Sequence, residues 1–227
     1  MSQAAIPLLT PLREGDRLTA DEFLRRWDAM PELKFAELLD GIVFMASPLS
    51  RSHGRSHSRF TFWLEFYLDS TPGCEVLIDT TSILGDRDVT QPDLALRILP
   101  EHGGQSHDAG EYVGGSLELI VEVSGSTSSR DLGIKLEMYR RAGVREYITL
   151  LLKPRHVIWR QLVSGGYEEI TPDDDGWLRS RVFPGLWLDP AAVWDLERSL
   201  RTAVEQGIRS PEHDAFVRRL DSQRRHG

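Results

Sequence analysis

Four side chains carry most of the chemistry open to this chain. Glu122 stands near the end of LELIVEV, an almost wholly apolar run, between Val121 and Val123. A carboxylate held in such a run loses hydration, so it must pair, take up a proton or bind a cation. Lys135 follows on the next predicted helix, where its ammonium could reach back over the strand end. Asp93 belongs to Gln91-Pro92-Asp93. Proline is tolerated in a strand only at an edge, an end or a bulge, so this carboxylate falls where a strand is locally irregular. Glu37 lies on a further apolar segment upstream. Two carboxylates on adjacent strand ends can hold one hard divalent cation, such as Mg²⁺, through oxygen. Such an ion polarises a phosphoryl oxygen and lowers the pKa of a bound water. A lysine beside it can orient that water or stabilise developing negative charge. These are the parts of metal-dependent phosphodiester hydrolysis. The same residues equally suit a Glu122–Lys135 ion pair without metal and an Asp93 that caps a turn, because such separations are common.

The elements that must position these groups follow from periodicity. Residues 117–123 read as a strand covered on both faces, with Glu118, Ile120 and Glu122 sharing one side. Ser126, Thr127, Ser128 and Ser129 offer N-caps, and a helix through RDLGIKLEMYRRA stops at Gly143. Asp131 falls in its first turn, and Lys135 one turn later borders a stripe of Ile134, Met138 and Ala142. Upstream, Thr19-Ala20-Asp21-Glu22 is a capping box for DEFLRRWDAM, and KFAELLDGIVFMASP reads as a hairpin turning at Asp40-Gly41. Residues 50–69 form a helix whose Phe60, Trp63, Leu64, Tyr67 and Leu68 make a core stripe. His53 and His57 are four apart on it, but Gly54 follows His53, so H-E-x-x-H is absent. A phosphate or solvent contact from His53 fits better than zinc.

EVLIDTTSIL and VTQPDLALRIL read as strands. Residues 100–115 are long, polar and glycine-rich, the pattern of a mobile loop, with His102, His107 and Asp108 available to a site. REYITLLLKP is another apolar strand, HVIWRQLV and GYEEITP form a hairpin, and a helix begins at Asp189-Pro190. The charged segment from Ser210 reads as a loosely held helix or frayed end. The expected fold is α/β in the mixed α+β sense. It is one domain over 1–227, with a core over 19–195, a C-terminal hairpin and helix elaboration, and a helical tail over 196–227.

Composition bounds the function. The chain has 227 residues, 40% of them hydrophobic, enough for a full core without staples. Its one cysteine, Cys74, excludes an internal disulfide and fits a reducing cytosol. The N-terminal residues lack the pattern of a signal peptide and no run approaches membrane-spanning length, so a cytoplasmic location is expected. A net charge of −8 argues against a broad basic nucleic-acid surface. It does not exclude a nuclease, whose acidic site and ions act locally. Arg51, Arg55 and Arg59, and Arg140, Arg141 and Arg145, form basic clusters that suit phosphate contacts or solvated helix faces. G-x-S-x-G, S-x-x-K and a P-loop are absent.

From Phe35 to about Trp194 the chain resembles the Uma-type family of putative restriction endonucleases, within the PD-(D/E)xK nuclease superfamily. The stretches that carry the resemblance are ELLDGIVFMASP with His53 following, QPDLAL, LELIVEVSGSTSSRDLGIKLEMYRRAGVREY and FPGLWLDPAAVW, in this order. The resemblance implies a restriction-endonuclease-like core, a central mixed sheet flanked by helices. It implies that Asp93 is the aspartate of the PD motif and Glu122 the second metal-binding acid. The superfamily's lysine, two residues after that acid, is replaced here by Ser124, and Lys135 matches the relocated lysine of the Uma-type group. Glu37 matches an upstream glutamate that supports or contacts the metal. His53 and Asp131 match further recurring positions, and with Ser124 they are candidates for substrate or supporting contacts.

The implied activity is Mg²⁺-dependent hydrolysis of DNA, with Mn²⁺ as a substitute, and a homodimer would suit cutting both strands. Two departures stand out: the strand ITLLLKP lacks the acid often found at its end, and the 100–115 segment is long. The competing reading is a nucleic-acid- or protein-binding module on a nuclease fold that has lost catalysis.

Overall fold

The computed structural model describes residues 10–125 and 128–224; two of the four expected cap residues, Ser126 and Thr127, lie outside that range. Helix α1 (Ala20–Asp28) is capped by Thr19, whose side chain accepts from Glu22 N. It leads to the hairpin β1 (Ala36–Leu39) and β2 (Ile42–Met45). The turn residues Asp40 and Gly41 have φ of 51° and 75°, the positive pair that an Asp-Gly hairpin turn requires. Helix α2 (Arg51–Leu68) follows, then β3 (Cys74–Ile78), β4 (Ser82–Gly85), β5 (Asp88–Thr90) and β6 (Leu94–Ile98). The short pair β7 (His107–Ala109) and β8 (Tyr112–Gly114) precedes β9 (Leu119–Ser124). Helices α3 (Ser128–Asp131) and α4 (Ile134–Ala142) lead to β10 (Glu146–Leu152), β11 (Arg155–Val163) and β12 (Gly166–Glu169). The chain closes with β13 (Leu178–Arg179), β14 (Trp187–Leu188), α5 (Pro190–Trp194), α6 (Arg201–Gly207) and α7 (Pro211–Arg224).

These elements build the expected mixed α/β fold, with two six-stranded sheets flanked by helices and a small two-stranded sheet of β13 and β14. The strand orders are β2-β1-β5-β4-β8-β7 and β12-β11-β10-β9-β6-β3. Both are mixed: β9 and β10 run parallel through the α3–α4 crossover, β4 and β8 run parallel, and the remaining pairs are antiparallel. Every residue of β9 is buried, as its apolar run requires for a strand covered on both faces. On one side the α2 stripe of Phe60, Trp63, Leu64 and Tyr67 packs with Leu119, Val121 and Val123. On the other side Ile120 meets Met138 and Tyr139 of α4 and Leu39 of β1. The two sheets therefore touch where β1 approaches β9, and that junction holds the candidate site.

Four expectations change. VTQPDLALRIL is two strands in different sheets, because Pro92 has no N–H to continue a ladder. The helix after β9 is broken at Gly133, a poor helix residue; a Cβ there would meet Ser129 O at 2.7 Å. The break re-phases α4, so its buried residues are Lys135, Met138 and Tyr139, with Ile134 and Ala142 only half-buried. Residues 100–115 are not a free loop. They form a 3₁₀ turn at Pro100–His102 and the β7–β8 hairpin, which extends the first sheet. There Asp108 accepts from Arg97, and His102 Nδ1 donates to Leu220 O.

The tail, finally, is a docked helix. Phe216 and Leu220 of α7 join the main core, and His213 Nε2 lies 2.9 Å from the Thr71 hydroxyl, which itself donates to Tyr67 O. The sequence pattern is weak because the apolar residues of α7, Ala215, Phe216, Val217 and Leu220, are few among charged neighbours. Cys74 is buried and its thiol is pushed up to about 12 by burial, so it is no nucleophile. If α7 is a docked part of the core, Leu220→Ala should lower the unfolding free energy by about 2–5 kcal/mol. Urea denaturation reads this directly, and a change under about 0.5 kcal/mol, the scale of a surface substitution, would restore the loose tail.

Candidate active site

β9 delivers Glu122 to the junction of the two sheets, and the re-phased α4 turns Lys135 and Tyr139 toward it. Lys135 Nζ lies 2.8 Å from Glu122 Oε1 and 2.9 Å from Glu37 Oε1. Tyr139 donates its hydroxyl to Glu122 Oε1 at 2.7 Å and stands 3.0 Å from Thr90 Oγ1. Thr90 in turn donates to Glu37 Oε1 at 2.7 Å, joined there by Gln91 N at 3.1 Å. Lys135, Glu122, Tyr139, Thr90 and Glu37 thus close a ring that ties β9, α4, β5 and β1 together. With both carboxylates ionised, each hydroxyl spends its one proton on a carboxylate, and the approach between the hydroxyls has none. A proton on Glu122 would complete the ring.

The electrostatics agree with that deficit of positive charge. Burial pushes the Glu122 carboxyl well above the usual range; Lys135 opposes this, while Asp93, Asp131 and Glu37 add to it. Burial works against the Lys135 ammonium too, yet Glu122, Glu37 and Asp131 outweigh it and raise its pKa. Lys135 is therefore held as a cation by the acids around it.

Asp93 reaches the same place from the other strand order. It sits on the crossing between β5 and β6, where Pro92 ends the ladder, and four contacts fix it. Oδ2 accepts from Val123 N at 2.6 Å, and Oδ1 lies 3.1 Å from His53 Nε2. Its carbonyl accepts from His57 Nε2 at 2.8 Å and from Asp79 N at 3.3 Å. Burial opposes the Asp93 charge, but the His53 hydrogen bond and charge, with the Val123 N–H, hold its pKa below the usual range. That same hydrogen bond raises His53. The two histidines that share zinc-like spacing are thus divided: one holds the Asp93 carboxylate and the other its backbone.

Ser124, expected as a substrate or supporting contact, bonds to α3 instead. Its hydroxyl donates to Asp131 Oδ2 at 2.7 Å, and Tyr147 donates to Asp131 O at 3.0 Å, so this pair pins α3 against the sheet. Glu37, His53, Asp93, Glu122, Asp131 and Lys135 all line one cavity of about 660 Å³. None of residues 100–115 lines it. Among the described residues no group of three or more His, Cys, Asp or Glu is arranged to hold a metal. A cation here would rest on Asp93 and Glu122. That suits Mg²⁺, which keeps several waters and takes one or two carboxylates, and both hydrogen bonds to the Glu122 carboxylate fall on Oε1.

A family model described as Uma2, putative restriction endonuclease, matches residues 20–191. The chain belongs to the Uma2 family. A crystal structure of a putative nuclease of the DUF820 group from Anabaena variabilis is similar in fold, with a TM-score of 0.55 and 14% identity, covering 89% of this chain and 99% of that one. No curated protein matches the chain. The Uma2 match spans every residue of the ring, and α6 and α7 lie beyond it.

The structure brings the expected Asp93, Glu122, Lys135, Glu37, His53 and Asp131 to one cavity of this Uma2 chain, and adds Tyr139 and Thr90, which were not expected there. Tyr139 left a signal, since it is one helical turn after Lys135. Thr90 left none, because only the pairing of β5 with β1 places it. Tyr139→Phe should destabilise the protein by about 1.5–3 kcal/mol, the range for a hydrogen bond to a charged group. Lys135→Met should do so by about 3–5 kcal/mol at neutral pH, because it strands two buried carboxylates. The Lys135→Met deficit should shrink on acidification. Its Glu122, with the folded-state pKa raised further, takes up a proton before the unfolded chain does, so stability returns as pH falls toward the ordinary carboxylate range. Urea unfolding across pH checks both; a pH-independent Lys135→Met deficit would rule out the charge account.

Proposed function

We propose that this Uma2 protein is a Mg²⁺-dependent endonuclease, able to use Mn²⁺, that hydrolyses phosphodiester bonds in DNA. The observation that supports the reading is the convergence of Asp93, Glu122 and Lys135 on one cavity from a bend before β6, strand β9 and helix α4. Asp93 and Glu122 would hold the ion, which supplies Lewis acidity toward a phosphoryl oxygen and a more acidic bound water. Lys135 presents a fixed positive charge beside Glu122, suited to the negative charge that grows on the phosphate oxygens. Glu37 holds Lys135 in place, and His53 and His57 fix Asp93 by its side chain and its carbonyl. Ser124 and Asp131 act further out, by anchoring α3.

A second reading, a binding module without catalysis, draws on the hold that Lys135 has on Glu122 Oε1. It predicts nucleic-acid binding that survives Asp93→Ala and no cleavage at all. The nuclease reading predicts that wild type cuts DNA with Mg²⁺ or Mn²⁺ and stops on chelation. Asp93→Ala, Glu122→Ala and Lys135→Ala should each lower the rate by at least about 10²-fold, while circular dichroism shows them folded. Cleavage that persists undiminished in folded Asp93→Ala, or its absence from wild type that binds Mn²⁺, defeats the proposal.

A further inference from the structure

The cavity over the two carboxylates has a lining of two kinds. One is the acids with Lys135. The other is apolar: Phe35 ahead of β1, Phe44 and Met45 of β2, Leu49 ahead of α2 and Leu152 at the end of β10. Two of these stand open to solvent: Phe35 is 44% exposed and Leu49 70%. Arg130 lies with its guanidinium 4.6 Å from the centre of the Phe44 ring. Arg130 and Lys153 also line the cavity, and neither has an ion-pair partner among the described residues.

This pairing of an apolar wall with two free cations, next to carboxylates and a lysine, selects among nucleic-acid forms. In a stacked duplex the faces of the bases are hidden, and only base edges, sugars and phosphates meet a protein. An aromatic wall beside the reacting centre gains nothing from such a substrate. A base released from its stack offers a flat apolar face to Phe35 and Leu49, and its flanking phosphates can meet Arg130 and Lys153. Charge points the same way. Tight duplex binding draws on many phosphate contacts over a wide basic surface, whereas this chain carries a net −8. The cavity, about 660 Å³, also falls in the ~300–1,000 Å³ range of pockets that enclose a small molecule, the scale of a nucleotide unit rather than a double helix.

We infer that this cavity takes single-stranded nucleic acid, with an unstacked base against Phe35 and Leu49 and the adjoining phosphate directed to Asp93 and Glu122. The inference rests on the nuclease reading for the chemistry, but the strand preference is measurable without cleavage. The test is fluorescence anisotropy with one labelled oligonucleotide, offered single-stranded and as its duplex, to Asp93→Asn protein and to wild type in EDTA. The single strand should bind at least about ten-fold more tightly. Phe35→Ala should weaken single-strand binding by about ten-fold, in the range found for loss of one base–aromatic stack, and leave duplex binding unchanged. Phe62→Ala, an exposed phenylalanine outside this cavity, should change neither.

Duplex binding as tight as single-strand binding, or no binding of either form, overturns the inference. So does a Phe35→Ala variant that keeps its affinity but shifts from dimer to monomer in sedimentation, because the wall would then be covered by a second copy. Cleavage by wild type with Mn²⁺ is scored separately. Failure to cut either form counts against the nuclease reading, and cutting of duplex in preference to single strand counts against the strand preference alone.

Discussion

Burying the Glu122 carboxylate is the constraint on which the rest of this structure depends. The strand that carries it is covered on both faces, so water cannot solvate the charge, and the protein must supply its own compensation. Lys135 does so at 2.8 Å, but a buried ammonium has the same problem. It therefore recruits Glu37 from another sheet. Tyr139 and Thr90 then use the lone pairs that remain. Each step gives a buried charge a partner, and the result is a ring that ties the two sheets at their junction.

Acid gathers around the ring. Glu37 and Glu122 contact Lys135, Asp131 raises the Lys135 pKa from nearby, and Asp93 raises that of His53 through its hydrogen bond. In a purely structural ion pair the charges would balance, as mismatch at this depth is expensive. The proposed cation on Asp93 and Glu122 would offset part of that acid charge. The same acid charge explains why Lys135 is held between two glutamates. Without it the acids would repel one another and the junction would open.

The asymmetry of the cavity adds a second layer. Its acids come from β1, β9 and the bend before β6, whereas its apolar lining comes mostly from the hairpin of β1 and β2 and the approach to α2, with Leu152 from β10; Glu37 and Phe44 are cross-strand partners. Arg130 joins the two kinds of lining, since it sits just after β9 and stacks on Phe44 of β2.

The amino-acid sequence by itself determined the local parts. Apolar patterning set β9 and the α2 stripe, Asp40-Gly41 set a hairpin turn, and Pro92 set a break beside Asp93. The resemblance of its motifs set the family and the acids worth following. Tertiary structure decided what local patterns cannot encode. Gly133 split a helix that periodicity alone would continue, and the new phase buried Lys135 and Tyr139 in place of Ile134 and Ala142. Strand pairing brought Thr90 to Glu37 across 53 residues, and it folded residues 100–115 into a sheet edge. Packing against distant elements docked a tail whose own composition reads as solvated. The physical reason is common to all of these. Secondary structure answers to neighbours three or four residues away, but the partners of a buried charge are chosen by which elements happen to meet.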